Sequence, residues 1–186
     1  HDALPISEDF LNLPSPHVTP QHMLQLYHKI QKEAYQYDGI VITHGTDTLE
    51  ETAYFLDTMD LPTISVVLTG AMRSSNELGS DGVYNYLTAI RVAADPKSQD
   101  KGVLVVMNDE VHAAKYGTKT HTTNVSTFQT PTHGPLGLDR LSWHSKGYET
   151  YRKCPFHRAF IVLHSFVIKL KSGYYTAIYI GIINMV

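Results

Sequence analysis

Three short apolar runs set between helical patterns constrain this chain more than any other feature. They are Ile40-Val41-Ile42-Thr43, Ile64 to Leu68 and Val103 to Met107, each only four or five residues long. Runs this short and this rich in β-branched residues suit buried strands, not helices. Thr19-Pro20 supplies an N-cap followed by proline at the first helical position, and Met23, Leu26, Tyr27, Ile30 and Ala34 recur at helical spacing up to a stop at Asp38-Gly39. Asp47 and Glu50 stand at capping-box spacing before a second helix over about 48–59, with Leu49, Ala53 and Leu56 on its apolar side. Ser80-Asp81 opens a third, with Val83, Leu87, Ile90 and Ala94 on one face, and Asp95-Pro96 stops it. Val125 to Phe128 reads as one more strand. The order α, β, α, β, α, β, with strands lacking polar alternation, predicts an α/β fold: a three-layer, Rossmann- or flavodoxin-like parallel sheet with helices on both faces. Ligands of such sheets sit beyond the carboxyl ends of the strands, where the polar clusters Thr46-Asp47, Gly70-Ala71-Met72 and Asn108-Asp109 fall.

The bulk properties narrow the function classes. With 186 residues, 42% of them apolar and 18% charged, the chain has a globular balance and enough length for one domain with a core. A net charge of −3 and a pI near 6.4 give no basic field for nucleic acid or an anionic membrane. The single cysteine, Cys154, excludes an internal disulfide framework and points to a reducing compartment, hence the cytoplasm. His1 to Ile6 carry neither an initiator Met nor a signal-peptide pattern, so the sequence reads as beginning inside a gene product. Ser172 to Val186 is uncharged over 15 residues and rich in Tyr and Ile. That is short of the roughly 18 needed to span a bilayer and suits a buried strand pair, with a membrane segment and non-native sequence as the other readings.

Two segments hold candidate chemistry. His44-Gly45-Thr46-Asp47-Thr48 sets small and polar residues between a strand and a helix start, a pattern that serves equally for capping or for a site presenting a hydroxyl and a carboxylate. Lys119 lies among the hydroxyls of Thr118, Thr120, Thr122 and Thr123. Such a loop is either a solvated surface or a place where a desolvated lysine acts as base. Asn124-Val125-Ser126 matches a glycosylation sequon, which has no meaning in a cytoplasmic chain. The 11 histidines show no HExxH or other ligand spacing, and His17, His22 and His28 do not stack on one helix face, so no metal is expected. No Walker A segment, GxGxxG after a strand or GxSxG elbow occurs.

Taken together, the runs Gly39 to Ala53, Leu68 to Arg73, Val106 to Val111 with Thr118-Lys119-Thr120, and Asn12 to His17 resemble segments of the L-asparaginase family in the same order, across residues 8–138. The first resembles the family's second signature, and the set is more similar to the cytoplasmic type I branch than to the periplasmic one. The resemblance implies an asparaginase-type N-terminal, substrate-binding domain, incomplete, over residues 1–150, with 151–186 an unassigned apolar tail. It implies hydrolysis of L-asparagine to L-aspartate and ammonia without cofactor, in a full-length parent that is a homodimer or homotetramer. Residue by residue, Thr46, Asp47 and Lys119 are the catalytic group. Ser15 would bind the substrate's α-carboxylate, Asp47 its α-ammonium and the Ala71 backbone its side-chain amide. A lysine acts as base only with a neutral amine, and a nearby carboxylate favours the charged form. Lys119 is therefore expected on the far side of Thr46 from Asp47.

The family's first signature, a strand ending in Thr-Gly-Gly-Thr that carries the primary nucleophile, has no counterpart in the 186 residues. Its loss should open an edge in the middle of the sheet and leave this chain alone with little or no activity. Two other readings stand beside hydrolysis. One is an inactive fragment that still binds aspartate through Ser15 and Asp47. The other is the asparaginase-like subunit of a tRNA-dependent amidotransferase, against which the acidic pI and the lack of an extra N-terminal domain argue.

Overall fold

A computed structural model describes residues 6–138, 142–143 and 178–183, so most of the tail beginning at residue 151 lies outside the described residues. In chain order the elements are β1 (Ile6–Leu11), α1 (Pro20–Glu33), β2 (Gly39–Thr43), α2 (Leu49–Thr58), β3 (Ser65–Thr69), α3 (Gly82–Ala94), β4 (Val103–Met107), β5 (Glu110–Ala113), β6 (Thr118–Lys119), β7 (Phe128–Gln129), β8 (Gly137–Leu138), β9 (Ser142–Trp143) and β10 (Ile178–Ile183). Short 3₁₀ turns occupy Ser15–His17, Ala34–Gln36 and Pro96–Ser98.

The first helix starts as the sequence predicts. Thr19 Oγ1 accepts from the His22 amide at 3.4 Å, and His22 Nδ1 accepts from the Thr19 amide at 3.1 Å, so histidine completes the capping box. The second helix begins at the expected place without the expected cap. Its N-cap, Thr48, makes no capping side-chain bond, and Asp47 and Glu50 face elsewhere. On α3 the buried residues are Asn85, Thr88, Ala89, Val92 and Ala93. The expected apolar face is thereby corrected: Val83 is 73% and Leu87 46% exposed. Small residues lie against the sheet because the backbones approach closely, as at Gly39, where an added Cβ would come within 2.5 Å of the Ala93 carbonyl oxygen.

The main sheet has eight strands in the order β1-β10-β2-β3-β4-β5-β8-β9. Only β2, β3 and β4 run parallel to one another, with Ile40 opposite Val66 and Val66 opposite Val103; the remaining pairings are antiparallel. The parallel sheet expected from the sequence is present as β2-β3-β4, set within a larger mixed sheet. The cause is local. Asn108 and Asp109 adopt φ of 48° and 67°, the left-handed pair of a two-residue hairpin turn, and fold β5 directly back on β4. Strand β10 lies between β1 and β2, so the middle of the sheet is filled there and not open.

Alternate residues of the strands feed two cores. Ile40, Ile42, Val66, Leu68, Val103, Val105 and Met107 pack with Leu26 and Ile30 of α1 and Leu49, Ala53 and Leu56 of α2. Val41, Val67, Leu104 and Val106 pack on the opposite face with Ala89, Val92 and Ala93 of α3. The three-layer architecture follows. Each fully buried leucine contributes about 1.5–3 kcal/mol relative to exposure. The strands β2, β3 and β4 advance in one direction across the sheet, yet α2 and α3 take opposite faces. The two crossovers accordingly have opposite hands, and one of them departs from the right-handed rule for parallel strands. At the carboxyl ends the chain leaves β2 toward one face and β3 toward the other, which opens a crevice between them.

Candidate active site

The crevice is built on close backbone contact. An added Cβ at Gly70 would lie 2.4 Å from the His44 carbonyl oxygen and 3.2 Å from Thr46 Cγ2, so only glycine lets the two strand ends converge. His44 is buried beneath this turn. Its Nδ1 lies 2.8 Å from the Gly45 carbonyl oxygen, which can only accept, so Nδ1 carries the proton; Nε2 lies 2.9 Å from Thr52 Oγ1 and accepts from that hydroxyl. Burial lowers the His44 pKa to about 4, so the ring is a neutral strut.

On that strut stand the predicted residues. Lys119 Nζ donates to Thr46 Oγ1 at 3.1 Å and to Asp47 Oδ1 at 2.8 Å. Thr46 is nearly buried and the Lys119 side chain is 14% exposed, whereas the Asp47 side chain is 39% exposed. The placement of Asp47 differs from expectation: Lys119 sits between Thr46 and Asp47, not on the far side. A largely buried ammonium needs a counterion, and the adjacent carboxylate is the nearest one. Ser15 joins through its backbone, whose carbonyl accepts from Thr48 Oγ1 at 2.6 Å; Ser15 is itself buried. Ala71 is partly buried between Gly70, whose carbonyl accepts from Asn85 Nδ2 at 2.9 Å, and Met72, whose amide donates to Asp81 at 3.1 Å. Thr46, Asp47 and Lys119 thus meet directly, Ser15 touches the same turn through Thr48, and Ala71 follows Gly70, which packs against Thr46.

The structure adds residues that the sequence reading passed over or assigned otherwise. Asp81, read as a helix opener, accepts from the Met72 and Arg73 amides and from Asn85 Nδ2. Asn85, fully buried, also accepts the Asn108 amide at 3.1 Å and so ties the end of β3 to the end of β4. An Asp and an Asn four residues apart on one helix face were the available signal. Asn108-Asp109, grouped with the polar clusters, is the hairpin turn described above. Glu50 accepts from the Lys119 backbone amide instead of closing a capping box. Next to it, burial raises the Glu51 carboxyl pKa; the Glu50 and Asp47 charges push the same way, while a hydrogen bond to its own amide and the Lys119 charge oppose. Glu51 Oε2 is buried with no hydrogen-bond partner among the described residues.

A hydroxyl in contact with an amine at the mouth of a crevice is an arrangement for activating an oxygen nucleophile or orienting a water. Among the described residues no group of three or more His, Cys, Asp or Glu could hold a metal ion, and no helix is long and apolar enough to cross a membrane.

Comparison with known proteins gives this arrangement a family. The model of the asparaginase N-terminal domain matches residues 3–150, and the chain belongs to the asparaginase family. It is 48% identical over 132 residues to the probable L-asparaginase of Deinococcus radiodurans, covering 70% of this chain and 41% of that protein. It is 47% identical over 130 residues to L-asparaginase 2 of Escherichia coli, covering 70% and 37%, and 48% identical over 130 residues to the probable periplasmic L-asparaginase of Haemophilus influenzae, covering the same shares. The chain thus spans about two fifths of the length of these relatives. A relative named periplasmic matches as well as the others, so identity does not single out the cytoplasmic branch.

Proposed function

We propose that this chain forms the Thr46–Asp47–Lys119 half of an amidohydrolase site that, in the whole protein, hydrolyses L-asparagine to L-aspartate and ammonia. The observation that carries the proposal is Lys119 Nζ at 3.1 Å from Thr46 Oγ1, with Asp47 on the same amine. Asp47 is the more exposed member of the group and receives the substrate's α-ammonium. Its carboxylate is then shared between two cations, which weakens its hold on Lys119 and lets the amine give up a proton. The amine, its own proton released to solvent, takes the proton of the attacking hydroxyl or water through Thr46 and passes it to the departing ammonia. Ser15 holds the α-carboxylate and the Ala71 backbone meets the side-chain amide. No cofactor enters these steps. The names of the relatives favour this reading over the amidotransferase subunit.

Because no Thr-Gly-Gly-Thr run occurs in the 186 residues, the same reading gives the chain by itself weak aspartate binding and little turnover. We place the parent in the cytoplasm on the single thiol of this chain, Cys154, and take it to assemble from two or four copies. The exposed apolar residues Leu78, Val83, Tyr84 and Leu87 support such assembly. The test is ammonia release from asparagine by the whole protein. Thr46→Ala and Lys119→Met should each lower kcat by about two orders of magnitude or more. Unchanged kcat in both would remove the proposal.

A further inference from the structure

Strands β6 and β7 form a two-stranded sheet of their own and, among the described residues, pair with no strand of the main sheet. This hairpin carries Lys119. Within it the Thr120 amide donates to the Thr127 carbonyl at 2.8 Å, which makes 120 and 127 the hydrogen-bonded pair and leaves Lys119 opposite Phe128 at a position whose amide points away from β7. An outward strand-edge amide beside a partly buried site needs an acceptor. The acceptor is a side chain from another element: Glu50 Oε2, in the first turn of α2. That turn directly follows Thr46 and Asp47, the two residues that the lysine amine meets. The lysine is thus held at both ends by one short stretch, its backbone by Glu50 and its amine by Thr46 and Asp47.

We propose that Glu50 is a positioning residue: by accepting the Lys119 amide it docks the hairpin on α2 and sets the place where the lysine amine meets Thr46. Helix capping does not account for the carboxylate, because Thr48 makes no capping-box bond and Glu50 reaches across to residue 119. The role rests on the functional reading above only insofar as Lys119 is catalytic; the docking itself does not depend on turnover.

The test is competitive acetylation of the 186-residue chain with acetic anhydride, following each lysine by peptide mass spectrometry. The internal references are Lys29, ion-paired with Glu8 and Glu33, and the exposed Lys97. Glu50→Ala should raise the Lys119 rate relative to both references by at least about tenfold, since loss of a hydrogen bond to a charged acceptor releases the segment to local opening. Glu50→Gln, whose amide oxygen still accepts, should stay within about twofold of the parent chain. An unchanged Lys119 ratio in Glu50→Ala would overturn the proposal. So would a uniform rise at all three lysines, which reports loss of the fold, or equal effects of Ala and Gln, which would assign the effect to charge. If Lys119→Met has no effect on ammonia release, the catalytic reading fails while the acetylation result still decides the docking.

Discussion

Acid should dismantle this fold through its interior before its surface charges matter. His44 and His112 are both fully buried, and burial lowers the pKa of each from 6.5 to about 4. His112 Nδ1 lies 2.8 Å from Thr130 Oγ1, and the nearest carboxylate oxygen, on Glu110, is 3.4 Å from its Nε2, which has no hydrogen-bond partner among the described residues. Above pH 6.5 both rings are neutral in folded and unfolded chains alike, and their contribution to stability does not change with pH. Between pH 6.5 and 4 the unfolded chain takes up two protons that the native state refuses. Stability then falls with decreasing pH by about 1.4 kcal/mol per unit for each ring, or about 2.7 kcal/mol per unit for both. Across that window the loss is on the order of 6–7 kcal/mol, comparable to the whole stability of many domains, about 5–15 kcal/mol. Glu51 and Glu110 act in the opposite sense: burial raises both, so the native state protonates them first and is favoured as pH falls toward 4.5. Urea unfolding at pH 7.0, 6.0, 5.5 and 5.0 measures the net slope. His44→Asn keeps a donor for the Gly45 carbonyl and removes one titration, so its slope should be shallower by about one proton. A His44→Asn slope equal to that of the parent would refute the assignment of acid sensitivity to this ring.

Three substitutions probe the framework of the crevice. Gly70→Ala places a methyl group 2.4 Å from the His44 carbonyl oxygen and should cost about 1–3 kcal/mol or more, read as a lowered midpoint in thermal unfolding. Asn85→Ala strips partners from the Gly70 carbonyl and the Asn108 amide and should cost about 2–4 kcal/mol by urea unfolding, with Asn85→Asp recovering only the Asn108 contact. Asp109→Gly, at φ 67°, should stabilise by up to about 1 kcal/mol, since glycine adopts this turn conformation without steric cost; a destabilised variant would contradict the turn assignment.

Periodicity and punctuation made the core legible. The runs Ile40–Thr43, Ile64–Leu68 and Val103–Met107 are strands within a residue at either end, because a continuous apolar run of that length has few other places to go. The third helix shows where pattern fails. Two of its apolar residues, Val83 and Leu87, face out, and the buried face is Asn85, Thr88, Ala89, Val92 and Ala93, mostly small or polar, since a close helix–sheet approach selects for size and hydrogen bonding ahead of hydropathy. Strands β5 to β8 have two to four residues each and are defined by their partners, so no local period announces them. In the site, the residue types at 46, 47 and 119 were readable. The contacts were not: Glu50 and Asp47 have capping spacing, and only the fold shows that both turn toward a lysine some seventy positions away.

The seat of β10 between β1 and β2 also sets an order of assembly. Strands β2, β3 and β4 and their two connecting helices come from one contiguous stretch, residues 39–107, whose pairings are close in sequence and quick to form. Within the sheet, among the described residues, β1 is bonded only to β10, and β10 joins segments that lie more than a hundred residues from it along the chain. The loop that must close is long, so the β1-β10 end of the sheet forms late and its edges stay exposed in the interval. Until then β2 offers an unpaired, largely apolar edge, a place where strands from two chains could exchange.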